Sequence, residues 1–343
     1  MGSPSPISAG PHMTVKRELL VRYLDGWVPS ALHAGRQAIY VDGYADLASA
    51  EAAVRVFGEF PDLLARHRLS LTAVPADPDE LAALSAHLDA VREDVSGPPG
   101  LKVRALPGPA DEAVTATLAD RGPALCYLDA AGRKPPAWST IAAALADRRG
   151  EALVAFDAAM LADLAAARGS APDATAGDRL FGDDGWRRPD TASGYALLVD
   201  RYRSALRRAG AELVGHVELV DGADRAELVF FATSATRGLE RFKDVLWAVD
   251  EYAGVRYRDP RDPGHTLLDI SLAPHPGPLR RGLLRRLATG GATVAELRRY
   301  ALTETVYRTG DVNRALTAMV NSGAVTRDPV RGRLTAETLI AAA

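Results

Sequence analysis

The chain has 343 residues, 47% of them hydrophobic and 25% charged, with a formal net charge of −3. That is enough chain for two domains around a full core, or for one large domain with an appendage. A single cysteine, Cys126, excludes an internal disulfide and a cysteine-rich metal site, and no apolar run reaches the length of a bilayer span. Residues 1–12 lack periodicity and read as an expression-tag scar, and the cytoplasm is the default location.

Thr14 to Trp27 is predicted to be a helix, with Leu19, Leu20, Tyr23, Leu24 and Trp27 on one face and Pro29 just past its end. Ala38–Val41 follows as a buried strand. Leu47–Leu64 reads as helix broken near Gly58 and Pro61, and Leu69–Val74 as a second strand. Pro78–Val91 is a helix with Asp77 as N-cap, Leu101–Leu106 a third strand, and Ala110–Ala119 a helix. Pro123–Asp129 is a strongly apolar strand ending in an acid. Trp138–Ala146, Glu151–Phe156 and Met160–Ala167 continue the alternation. Alternating strands and helices at this spacing predict an α/β fold with a mostly parallel sheet.

Gly169–Thr191 is rich in Gly, Asp and Pro and reads as a surface loop. Tyr195–Ala209 is a helix. Ala211–Val220 and Ala226–Ala232 form a hairpin across Asp221–Asp224, closing the sheet with an antiparallel strand. Gly238–Tyr252 is a helix, and Gly254–Pro278 is irregular. Three short helices follow, Leu279–Ala288, Val294–Ala301 and Asp311–Asn321, the last capped by Asp311. A hairpin of Ala324–Thr326 with Gly332–Thr335 then completes a winged-helix pattern. From Arg280 to Arg333 eleven arginines face four acids, a local +7, which leaves about −10 on the rest of a −3 chain. The predicted layout is therefore a domain at 13–278 and a winged helix at 279–343.

Four segments carry a family resemblance. Lys16–Leu20 with Tyr23–Trp27 is similar to an opening helix, Tyr40–Ala45 to a “DGFAG” turn, and Leu128–Gly132 to a “DPFG” strand end. Phe231–Thr233 with Gly238–Trp247 is similar to a “FAT…MKDVMW” block. Through them the chain resembles the three-Cys-motif partner proteins, a bacterial group with a methyltransferase-like Rossmann domain. The resemblance implies a Rossmann-like, class I methyltransferase-type sheet and S-adenosylmethionine as cofactor. It also implies a three-Cys-motif protein as partner, with Asp42, Gly43 and Tyr44 at the cofactor, Asp77 as a substitute ribose ligand, and Asp129 near the reacting groups.

Three departures surround that expected pocket. Asp46-Leu47-Ala48 replace the small residues of the turn, Pro75 stands where an acid should grip the ribose, and Ala130-Ala131 replace a proline and a stacking aromatic. Together they point to lost or altered S-adenosylmethionine use and a partner or scaffold role, possible substrates being a nucleic acid or tRNA. An active methyltransferase and a DNA-binding regulator are the alternatives. On the winged helix, Asn313, Arg314 and Thr317 would face bases, and Arg327, Arg331 and Arg333 phosphates. No histidine spacing suits a metal, and no P-loop or GxSxG is present.

Overall fold

The computed structural model describes residues 10–119, 122–167, 171–187 and 194–343. The first half alternates α1 (Pro11–Ala34), β1 (Gln37–Ala45), α2 (Leu47–Gly58), α3 (Pro61–Leu64), β2 (Arg68–Pro75), α4 (Leu81–Asp94), β3 (Leu101–Ala105), α5 (Ala110–Thr117) and β4 (Ala124–Asp129). It continues with α6 (Trp138–Ala144), β5 (Gly150–Asp157), α7 (Ala158–Ala167), α8 (Ala171–Phe181), α9 (Tyr195–Arg208), β6 (Leu213–Asp221), β7 (Ala226–Thr233), α10 (Thr236–Leu246) and β8 (Val255–Arg258). The chain ends with α11 (Gly277–Leu287), β9 (Ala292–Thr293), α12 (Val294–Glu304), α13 (Thr309–Asn321), β10 (Val325–Asp328) and β11 (Leu339–Ala342).

The large sheet runs β3-β2-β1-β4-β5-β7-β6-β8. Its first five strands are parallel, β7 pairs antiparallel with β5 and with β6, and β6 pairs antiparallel with β8. This is a doubly wound α/β sheet, with the reversal of strand order between β1 and β4. β4 is buried at every position, as a strand covered on both faces requires. Alternate β1 residues divide the core: Ala38 and Tyr40 face the layer with α1, α2 and α4, whereas Ile39 and Val41 face the layer with α5 to α9.

Several predictions need correction. Pro29 lies inside α1, because Val28, Ala31 and Leu32 extend the buried face past it. Their burial outweighs the one backbone bond that a proline removes. Pro11 and His12, set aside as tag, form the first helical turn, and His12 Nε2 lies 3.2 Å from Leu219 O. The loop expected at 169–191 contains α8, with Leu180, Phe181 and Trp186 buried; residues 168–170 and 188–193 lie outside the described chain. Gly177 there serves packing, since a Cβ would come within 2.2 Å of the Trp186 ring. The irregular stretch after Gly254 holds β8, which pairs with β6.

At the C-terminus β10 pairs with Leu339–Ala342, not with Gly332–Thr335, and β11 also pairs with β9. Arg327 donates to the carbonyls of Pro329 and Gly332 at 2.9 Å and of Arg333 at 3.2 Å, so the 329–333 segment curls around its guanidinium. Asp311 does not cap α13. It sits at the third helical position and accepts from the N–H of the N-cap residue Arg308 at 3.0 Å.

The helix α10 anchors the segment that connects α12 to α13. Its buried Lys243 Nζ donates to the carbonyls of Ala301 (2.7 Å), Thr305 (2.5 Å) and Tyr307 (2.9 Å). Just past its end, Trp247 Nε1 donates to Val306 O at 3.0 Å. The block most similar to the expected family therefore fastens the α12–α13 connection to the sheet.

Candidate functional site

Open α/β sheets bind ligands at the carboxyl ends of their strands, where strand order reverses. Here that place lies between β1 and β4, and it holds Asp42 and Asp129. Asp42 is fully buried and its Oδ2 accepts from Ser49 Oγ at 2.8 Å. Burial pushes its carboxyl well above the usual carboxylate range, more than the Ser49 hydrogen bond pulls it down. Asp129 is 8% exposed. It accepts from Tyr127 OH at 3.0 Å and from Lys16 Nζ at 2.7 Å.

Lys16 also pairs with Glu227 Oε2 at 2.6 Å. Burial alone would push its ammonium pKa down. Asp129 and Glu227 together outweigh that, and the pKa rises. The N-terminal half of α1 thus lies across the carboxyl edge of the sheet with its one lysine between two acids. Lys16 falls on the same helical stripe as Leu20, Tyr23 and Trp27. A lysine on a buried stripe demands a partner, and that was the signal the sequence reading missed. Ser49, Tyr127 and Glu227 were missed because nothing local marks them.

The turn after β1 is not a glycine loop. Gly43 lies inside β1, and its backbone does not adopt a positive φ. A Cβ there would stand 2.4 Å from Leu128 Cδ2 and 3.1 Å from Val114 Cγ2, so the glycine serves close strand–helix approach rather than a turn. A single residue, Asp46, joins β1 to α2. Its Oδ1 accepts from the N–H groups of Ala48 (2.7 Å) and Ser49 (2.8 Å). These amides are what a nucleotide-binding helix would offer an anionic ligand; here the chain's own carboxylate takes them, as in an ordinary N-cap.

The other expected residues fall as follows. Tyr44 is half-buried at the end of β1, and burial, reinforced by the Asp111 charge, raises its phenol. Pro75 ends β2 paired with Ala45. Asp77 is exposed and turned to its own chain, accepting from Asp79 N–H at 3.0 Å. Ala130 is buried, and Ala131 N–H is 3.3 Å from Asp129 Oδ1. Asn313 Oδ1 accepts from Arg298 Nη2 at 3.0 Å, and Arg314 pairs with Asp311 at 2.6 Å. Thr317, Arg331 and Arg333 are exposed. Arg327 is engaged with backbone carbonyls as described above. Among the described residues no group of three or more His, Cys, Asp or Glu is arranged to hold a metal ion, and no helix is long and apolar enough to cross a membrane.

The state of Asp42 gives a direct test. Its folded pKa lies above the unfolded value of 3.8, so the native state holds more protons than the unfolded state in that window, and stability falls as pH rises through it. Asp42→Asn keeps an acceptor for Ser49 and removes the charge. The variant is expected to melt higher than wild type at about pH 8, with the gap narrowing at about pH 5. A variant that melts lower at both values, by calorimetry, would show that the charge itself is needed.

No family model and no curated protein matches the chain. Several solved structures share some of its shape, two of them as follows. One is the crystal structure of EvdMO1, with 13% identity, a TM-score of 0.34, and coverage of 65% of this chain and 42% of that one. The other is the O-methyltransferase TomG from Streptomyces achromogenes, involved in tomaymycin synthesis and solved with S-adenosylmethionine, with 14% identity, a TM-score of 0.34, and coverage of 64% and 80%. The chain thus spans less than half the length of the first. Likenesses this distant carry no argument about function, and the fold described here rests on strand order and direction.

Proposed function

We propose that the protein is a divergent methyltransferase-fold partner or scaffold, with lost or altered S-adenosylmethionine use, that carries a nucleic acid on its basic C-terminal region. The observation that supports this reading is the closed carboxyl edge. Asp46 caps α2 and takes the amides a cofactor would need, Lys16 sits between Asp129 and Glu227, and the end of β2 offers proline instead of an acid. The residues present do not fit S-adenosylmethionine. The order helix–strand–helix–helix–strand–strand from α11 to β11 supports a winged-helix reading of 279–343. A three-Cys-motif protein is the partner that the family resemblance suggests.

Isothermal titration with S-adenosylmethionine and S-adenosylhomocysteine tests the first part. No saturable heat is expected; binding in the micromolar range would restore the active-methyltransferase alternative. For the second part, filter binding of duplex DNA and of tRNA over a salt series is expected to give an affinity that falls with salt. Arg331→Ala and Arg333→Ala should each lower the log–log slope by about one. An unchanged slope in both variants would remove this region as the contact surface.

A further inference from the structure

A second feature lies at the opposite edge of the sheet, away from Asp42 and Asp129. Between the second half of α1, the start of β5 and the beginning of α10 is a cavity of about 530 Å³. Four arginines line it, Arg148, Arg149, Arg237 and Arg241, with a single carboxylate, Glu151. Pro29, Ala34 and Pro123 give it an apolar wall.

The charges are unevenly answered. Arg148 and Arg149 pair with Glu212 and Asp147, neither of which lines the cavity. Arg241 donates to Ser30 Oγ at 2.8 Å, lies over the Tyr23 ring, and its charge partly answers the Glu151 carboxylate. Arg237 is exposed, and among the described residues it has no hydrogen-bond or ion-pair partner. Glu151 is buried in the floor and accepts from two neutral hydroxyls, Tyr23 OH at 2.7 Å and Thr233 Oγ1 at 2.9 Å. Positive charge therefore exceeds negative around the cavity.

The backbone makes room for this arrangement. A Cβ on Gly26 would come within 2.8 Å of Arg241 Nε, and one on Gly238 within 2.4 Å of Glu151 Oε1. The helix α10 also begins at the cavity with no side-chain cap, so its positive end adds to the arginine field. Arginine suits phosphate because its planar fork donates two parallel hydrogen bonds. The volume falls within the range of small-molecule sites.

We infer that this cavity binds a phosphomonoester of about nucleoside size, its phosphate held by Arg237 and Arg241 and its body against the wall of Pro29, Ala34 and Pro123. The inference does not depend on the reading of the carboxyl edge.

Titration calorimetry on the full chain at low salt, with adenosine 5′-monophosphate as probe and adenosine and inorganic phosphate beside it, tests this. Saturable binding of the monophosphate at one site per chain is expected, tighter than either fragment. Arg237→Glu should weaken it about tenfold or more with the melting temperature unchanged, since this side chain holds no other group in place. Three results would overturn the inference: no saturable binding at millimolar monophosphate, affinity unchanged in Arg237→Glu, or either fragment binding as tightly as the whole probe.

Discussion

Lys243→Met is expected to be among the most damaging single substitutions in the chain. The ammonium satisfies three carbonyls of the α12–α13 connection at once, from a fully buried position. Methionine fills much of the same volume but donates nothing. A buried carbonyl left without a donor costs about 1–3 kcal/mol; those of Thr305 and Tyr307 are affected, while Ala301 O keeps the Thr305 hydroxyl at 2.8 Å. Relief from burying a charge offsets part of that, leaving a net loss of roughly 3 kcal/mol. The Trp247–Val306 hydrogen bond remains, so the C-terminal helices are expected to loosen rather than detach. Thermal melting together with limited proteolysis of the 259–276 segment would report both effects. Unchanged melting and unchanged cleavage would mean that the three hydrogen bonds do not hold the α12–α13 connection in place.

The same lysine gives stability a pH dependence of known sign. Burial pushes its pKa down from 10.5 to about 7, against the pull of nearby acids, with Asp259 first among them. The cost of burying the cation is fully present below about 7, where both folded and unfolded states are protonated. Between there and 10.5 the unfolded state binds the extra proton, so this term makes stability rise with pH. That slope should be missing in Lys243→Met.

Lys16→Met has the second large expected effect. It leaves Asp129 and Glu227 facing each other at a buried edge without the cation between them. Removing one partner of a buried pair costs about 3–5 kcal/mol. Asp129→Asn should be milder, because Lys16 keeps Glu227 and the amide still accepts from Tyr127. Urea unfolding of the two variants separates them. A loss below about 1 kcal/mol for Lys16→Met, typical of an exposed pair, would show that water reaches this edge.

Much of the architecture was legible in the sequence because it is written in local periodicity. The apolar run Ala124–Leu128 identified a doubly covered strand, and the helical spacing of Leu19 to Trp27 identified the inner face of α1. Asp221–Asp224 identified the hairpin that closes the sheet. Asp42 and Asp129 were readable as strand-end acids, and Asp46, Pro75 and Ala130-Ala131 as departures around one expected pocket. Where local signals competed, they misled: glycine and aspartate in 169–187 suggested a loop, whereas Gly177 makes room for Trp186 and Asp178 accepts from its ring N–H at 2.9 Å.

What the tertiary structure alone decided is which charges meet. Lys16 and Asp129 are 113 residues apart, and Lys243 and Tyr307 are 64. No periodicity encodes such pairings, because they depend on strand order and on the path of α1 over the sheet edge. The opening junction shows the division well. Sequence placed a strand, an aspartate and a helix in succession at 38–48. Only the folded chain directed the Asp46 carboxylate onto the α2 amides and moved Gly43 from a supposed turn to a close packing contact, since both outcomes depend on distances that the order of residues does not contain.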